Sequence, residues 1–331
     1  MKRNSNMLFF PTNPISKLIE ASKKGKLEHI KLLLANGTSI NVTNNHGLSP
    51  LMAAASRNRV TTMQYLLENG ANLNAITNNG STVLMEAIVP RFDTTESCAL
   101  LVSKGIGLTF RDSAGQTALH KACALGKTSI VKLLIQHGAD VNAKDNAGGT
   151  PIRNAFHQKS IKLLDILVNA KANIFELHSH IASGWSNTLI GRAIVWQDMD
   201  MLKALIRMYN INLTYSDGST PLVMAYAEHM LHVLLLHDKD TQSKLVKDIA
   251  ILNFLIDSGA DVNVVYIIRD SMLDRLRTQI LAKSSIKQSD KNRHLTLIGR
   301  ALADEQDEIV SIFEKAGAKI TTKDAQNYMC T

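Results

Sequence analysis

The 331-residue sequence predicts an all-α solenoid of stacked helix-turn-helix units joined by short hairpin loops. Three observations carry this expectation. A Ser or Thr stands two residues before a Leu or Ile and five before an Ala at Ser49, Thr82, Thr117, Thr150, Thr188, Thr220 and Thr296, in steps of 33, 35, 33, 38, 32 and 76 residues. A Gly followed four residues later by an Asn closes units at Gly37/Asn41, Gly70/Asn74, Gly138/Asn142 and Gly259/Asn263. Apolar residues recur at helical spacing between these marks, as in Ile30-Leu33-Leu34, Met63-Leu66-Leu67 and Ile130-Leu133-Leu134. A recurrence of this length signals units that stack on their neighbours alone.

Each element has a local cause. The recurring hydroxyl caps the first helix, and Pro50, Pro151 and Pro221 follow it where a missing N–H costs nothing. The pairs Ala54-Ala55 and Ala122-Cys123 let first helices approach closely. The closing Gly supplies the left-handed residue that ends the second helix. Eight units are read, at about 13–44, 45–77, 78–112, 113–145, 146–182, 183–215, 216–263 and 292–321. They leave a flexible N-terminal segment, 1–12, and a tail, 322–331.

The pattern breaks in places. The third unit carries two extra residues near Pro90-Arg-Phe-Asp-Thr, and the fifth has Lys171 where Gly is expected. A left-handed Lys costs about 1 kcal/mol, so a differently built turn is expected there. Thirty-nine residues separate Thr220 from Gly259 instead of 21, which implies extended helices and a helical insertion at about 230–248. A second insertion, 264–294, is read as an amphipathic helix over 264–283, with Val265, Ile268, Met272 and Leu276 on one face, followed by a polar loop.

The complete unit at residues 115–145 contains Thr117-Ala-Leu-His and Gly138-Ala-Asp-Val-Asn, and it resembles the ankyrin repeat. The resemblance covers roughly residues 13 to 321. It implies an ankyrin-repeat solenoid that binds a protein partner through hairpin tips and the exposed positions of the first helices, which line a concave groove. Carried onto this sequence, the tips include Asn45, His46, Asn79, Ser113, Asn146 and Asp217. The groove positions are Ala53 and Arg57, Glu86 and Pro90, Lys121 and Leu125, Asn154 and Gln158, and Arg192 and Trp196. Degenerate arrays of this kind also resemble those that intracellular bacteria deliver into host cells.

Composition narrows the function. Net charge is +8: residues 1–31 carry +5 and 264–294 carry +4, and the rest of the chain sums to −1. No stretch of about 18 apolar residues is present. The basic start is followed by an apolar run at Met7–Phe10 too short for a secretory signal. Three cysteines make no disulfide framework, so a reducing cytosol is expected, a host cytosol included.

No phosphate-binding Gly-rich loop, zinc-ligand Cys pair or nucleophile motif is present. His229, His232 and His237 lie near Glu228 and Asp238, and they are read as polar residues along an extended helix rather than as metal ligands, because no further ligand pair completes a tetrahedron. Cys123 occupies the packed Ala position of its repeat, where a thiol is inert. The expectation is therefore a non-catalytic, monomeric adaptor with no cofactor, no metal and no small-molecule substrate. An alternative stays open: binding of nucleic acid or an anionic membrane surface through the basic N-terminus and the 264–294 insertion.

Overall fold

The computed structural model describes residues 13–173, 188–208, 210–212, 214, 220–235, 239–263, 265–266, 295–296 and 306–318. The expected N-terminal segment, C-terminal tail and nearly all of the 264–294 insertion lie outside these residues. The chain divides into two compact units, Met1–Asn173 and Ile174–Thr331.

The first unit is a series of helix pairs: α1 (Pro14–Lys24) with α2 (Leu27–Ala35), α3 (Pro50–Ala55) with α4 (Val60–Glu68), α5 (Val83–Ala87) with α6 (Thr95–Ser103), α7 (Ala118–Ala124) with α8 (Thr128–Gln136), and α9 (Pro151–His157) with α10 (Ile161–Asn169). The first helices pack in the order α1, α3, α5, α7, α9, and the second helices α4, α6, α8 and α10 pack likewise. Capping follows the sequence. Ser49 Oγ accepts the N–H of Met52 at 3.2 Å, and Thr82 Oγ1 accepts that of Met85 at 3.3 Å. Thr150 adopts the same extended cap backbone without a side-chain bond. Asn13 caps α1, accepting the N–H of Ile15 at 3.0 Å.

Burial explains why such short helices persist. Leu51, Met63, Leu66, Leu84, Leu101, Leu119, Leu134 and Phe156 are at most 1% exposed, each side chain contributing about 1.5–3 kcal/mol relative to exposure. Helices of five to seven residues have too few internal hydrogen bonds to stand alone, so stacking supplies their stability. Ala54, Ala55, Ala122 and Cys123 are fully buried, where their small volume brings neighbouring backbones together.

The turn closing the fifth unit corrects one expectation. Lys171 takes φ 67° and donates its N–H to Val168 O at 2.8 Å, so the turn is built as in the other units despite the lysine. Gly138 takes φ 86° at the equivalent place. Tertiary contacts on either side fix the turn and impose the backbone strain on whichever residue stands there.

The second unit holds α11 (Leu189–Val195), α12 (Met199–Met208), α13 (Pro221–Leu235), α14 (Lys239–Asp257) and α15 (Asp307–Lys315). Thr188 caps α11 through Gly191 N–H at 2.9 Å. α13 and α14 run to 15 and 19 residues, against nine for each second helix of the first unit. Tyr226 meets Phe313 of α15 with ring centroids 6.1 Å apart. Two short strands, β1 (Val265–Tyr266) and β2 (Leu295–Thr296), pair antiparallel with Val265 opposite Thr296. Helix was expected from about residue 264. The β-branched and aromatic pair Val265-Tyr266 is instead extended and hydrogen-bonded to a distant segment, a pairing that apolar spacing does not encode. The fold class remains all-α.

Candidate interaction face

Each hairpin begins with a side chain that folds back on its own backbone. Asn44 Oδ1 accepts the N–H groups of His46 and Leu48 at 2.9 Å, and Asp112 Oδ1 accepts those of Ala114 and Gln116 at 2.9 Å. Asp145 Oδ1 does the same for Ala147 and Gly149, at 2.9 and 2.7 Å. These turns fix the tips before neighbours are added.

Neighbouring tips are then stitched together. The N–H groups of Asn78, Ser113 and Asn146 donate to the carbonyls of His46, Asn79 and Ala114 at 3.1, 2.8 and 3.0 Å. The Asn78 amide reaches Asn45 O at 2.8 Å, and the Asn146 amide reaches Ser113 O at 3.0 Å. The approach is close enough that a Cβ at Gly115 would collide with Asn146. The ladder therefore takes up backbone groups of the tips, and it also engages the Asn146 side chain expected to meet a partner. What Asn45, His46, Asn79 and Ser113 present outward is their exposed side chains.

The first-helix positions split in the same way. Ala53 was expected to face the groove but is 1% exposed, because α3 packs between α1 and α5 and an alanine is too short to reach past them. Glu86 and Lys121, on successive first helices, are partly exposed and 3.8 Å apart. Asn154 donates to His120 O at 3.0 Å, tying α9 to α7. Leu125 and Gln158 follow α7 and α9, half-buried and exposed respectively. His46, Asn79 and Glu86 line one shallow concavity of about 440 Å³ with Asn44, Leu48, Thr77 and Asn78. Three residues chosen from sequence thus meet at one place.

Arg57 lies over the ring of Phe92, 4.6 Å from its centroid. Phe92 went unselected in the sequence, although the two-residue excess around Pro90–Thr94 was the available signal. In the second unit Trp196 is 43% exposed, with the Arg192 guanidinium 5.9 Å from its ring centroid. Asp217 lies outside the described residues.

The titratable groups of the interior are structural. The backbone N–H of Thr117 reaches His120 Nδ1 at 3.2 Å, and His120 Nε2 lies 3.1 Å from Gly149 O in the next unit. A backbone amide can only donate, so Nδ1 accepts and the ring is neutral with its proton on Nε2. Burial pushes the imidazole below its ordinary pKa. Burial raises the thiols of Cys98 and Cys123 to about 12, which leaves them protonated and inert.

His229 corrects the reading of polar residues along a helix: it is 4% exposed, and its Nδ1 is 3.9 Å from Oδ2 of Asp248, itself 2% exposed. Gln197 Nε2 donates to Asp248 Oδ1 at 2.8 Å. His232 shares α13, but its side chain, like residues 237 and 238, lies outside what is described. Among the described residues no group of three His, Cys, Asp or Glu could hold a metal ion, and no helix is long and apolar enough to cross a membrane.

Paired short helices, hydroxyl caps and a tip-to-tip ladder define a repeat protein built to present a surface. The family model of ankyrin repeats, in three copies, matches residues 18–112 and 90–178. Residues 18–178 are therefore ankyrin repeats, and such repeats generally serve as non-catalytic modules for binding other proteins. No curated protein matches the chain.

Proposed function

We propose that this chain is a non-catalytic adaptor that holds a protein partner against its hairpin tips and first-helix face, centred on His46, Asn79, Glu86 and Lys121. The observation that carries the reading is the meeting of His46, Asn79 and Glu86 in one concavity, with Lys121 3.8 Å from Glu86. Donors, acceptors and both signs of charge stand together there on rigid supports, which lowers the ordering cost of binding. Asn154 on α9 extends the face, whereas Arg57, Leu125 and Gln158 stand in the turns after α3, α7 and α9, at its far margin. Free, buried Cys98 and Cys123 suit a reducing cytosol, and action as an effector in a host cytosol belongs to the same reading.

Affinity capture from cytosol tests the proposal. His46→Ala, Asn79→Ala and Lys121→Glu combined should abolish a capture seen with the unaltered chain while circular dichroism stays unchanged. Equal capture by both proteins would overturn the choice of face.

A further inference from the structure

The turns joining the two helices of each pair lie at the end of the pair away from the hairpins, and in the first unit they are strongly basic. The last turn of α1 and the bend after it carry Lys23, Lys24 and Lys26; the bend after α3, Arg57 and Arg59; that after α5, Arg91; that after α7, Lys127. These seven cations face four carboxylates, Glu20, Glu28, Asp93 and Glu96, leaving a balance of +3 on one edge, and Glu28 is itself paired with Lys31 at 2.8 Å. Glu20 is bridged to Lys24 at 2.9 Å. Asp93 accepts Thr95 N–H and O–H at 3.0 and 2.6 Å, and Glu96 accepts the Asn58 amide at 3.3 Å.

Side chains from one turn bind the next, so the edge is continuous. Arg59 Nε donates to Lys23 O at 3.3 Å. Asn58 Oδ1 accepts Ser97 N–H at 3.0 Å and Ser97 Oγ–H at 2.8 Å. Lys127 Nζ donates to Pro90 O at 2.9 Å and Phe92 O at 3.0 Å. Arg57 rests on the ring of Phe92. Carbonyls and a ring position a cation without neutralising it, so the fold holds like charges together that would otherwise separate.

We propose that this edge is a second docking strip, distinct from the hairpin face, for an extended acidic segment of a partner protein. Stacked helices lie about 10 Å apart, so four turns make a strip of about 30 Å. An extended peptide advances about 3.3 Å per residue, which brings roughly every third residue opposite a turn. Single-stranded nucleic acid is the poorer fit, because base stacking needs a series of rings and, among the described residues, these turns offer Phe92 alone, already against Arg57. An anionic membrane is poorer still: its headgroups would meet Asp93 and Glu96 as well as the cations, whereas an extended peptide can bring its carboxylates against the cations and bridge past the two acids.

Fluorescence anisotropy with the full chain and a labelled peptide of alternating Glu and Asp tests the strip, with single-stranded oligothymidylate and phosphatidylserine vesicles as competing probes. The peptide should bind, and rising salt should weaken it. Lys26→Glu with Arg91→Glu should weaken it about tenfold or more, while Lys121→Glu on the hairpin face changes it by less than about twofold. Lys26→Gln with Arg91→Gln, a milder pair, should give a smaller loss in the same direction. The proposal is overturned if the peptide fails to bind, if Lys121→Glu is as damaging as the strip variants, or if the oligonucleotide or vesicles bind more tightly. Loss of the hairpin-face partner would leave this result unaffected, so the two surfaces fail separately.

Discussion

His120 Nε2 lies 3.1 Å from the carbonyl oxygen of Gly149, joining α7 to the turn that precedes α9 in the next unit. The same ring accepts the backbone N–H of Thr117 on its other nitrogen. One imidazole therefore completes a helix cap and a contact between repeats, and it can do both only while neutral.

That requirement gives a pH dependence. Burial lowers the folded-state pKa of His120 below its ordinary value of 6.5, so below that value the unfolded chain binds more protons than the folded one. The stabilising contribution is complete above the ordinary value and is lost as pH falls toward the depressed folded value. A second proton would sit on Nδ1, facing the Thr117 N–H. Urea unfolding of the unaltered chain should show falling stability from pH 7 to 5, and His120→Gln should fall less over that range. Parallel pH profiles for the two would exclude the assignment.

Asn142 bridges units in a different way. Its Nδ2 donates to Lys171 O at 3.2 Å, and its Oδ1 accepts Asn173 N–H at 2.6 Å. Asn41 makes the same pair of contacts to Gly70 O and Asn72 N–H, at 3.1 and 2.8 Å. Asn142→Ala should cost about 1 kcal/mol in denaturant unfolding, at the low end for two bonds because the site is exposed and water re-solvates the broken groups. An unchanged midpoint would show that the bridge contributes nothing.

Lys171 offers a gain instead. Its left-handed backbone carries a strain that glycine lacks, so Lys171→Gly should stabilise the chain by about 0.5–1 kcal/mol after the entropy of glycine in the unfolded state is counted. Gly138→Ala is the reverse change at φ 86°, where an added Cβ meets nothing within 4 Å. It should cost about 1 kcal/mol from the backbone alone. Destabilisation by Lys171→Gly would mean that the lysine stem contributes packing that outweighs the strain.

What the sequence disclosed and what it concealed differ in kind. The caps at Ser49, Thr82, Thr117 and Thr188 were legible because capping is local: the hydroxyl and the amide it accepts lie three residues apart. Lys171 in a glycine turn was misread because local propensity was weighed without the packing that overrides it. Ala53 was misassigned for a related reason, since a groove position is exposed only when its side chain outreaches the neighbouring helices. The buried approach of His229 to Asp248 joins residues 19 apart on paired helices. The basic turn edge was hidden because its cations are scattered over a hundred residues and come into line only when the units stack.

Trp196 gives the sharpest test of a residue chosen from sequence. It follows α11, is 43% exposed, and has the Arg192 guanidinium 5.9 Å from its ring centroid. A half-open indole with a cation over it presents area and charge to a partner at little ordering cost, and Trp and Arg are the residue types that most often dominate binding energy. Truncating such a pair removes limited buried area, so the double variant Trp196→Ala with Arg192→Ala should lower the melting temperature by less than about 3 °C. Partner affinity should fall by about 2 kcal/mol, a factor of roughly thirty, if the pair anchors the complex. A fall in melting temperature well beyond that limit would show that the indole belongs to the packing of the second unit. An unchanged affinity, with stability intact, would remove the pair from the interaction surface and leave the partner to the face around His46, Asn79, Glu86 and Lys121.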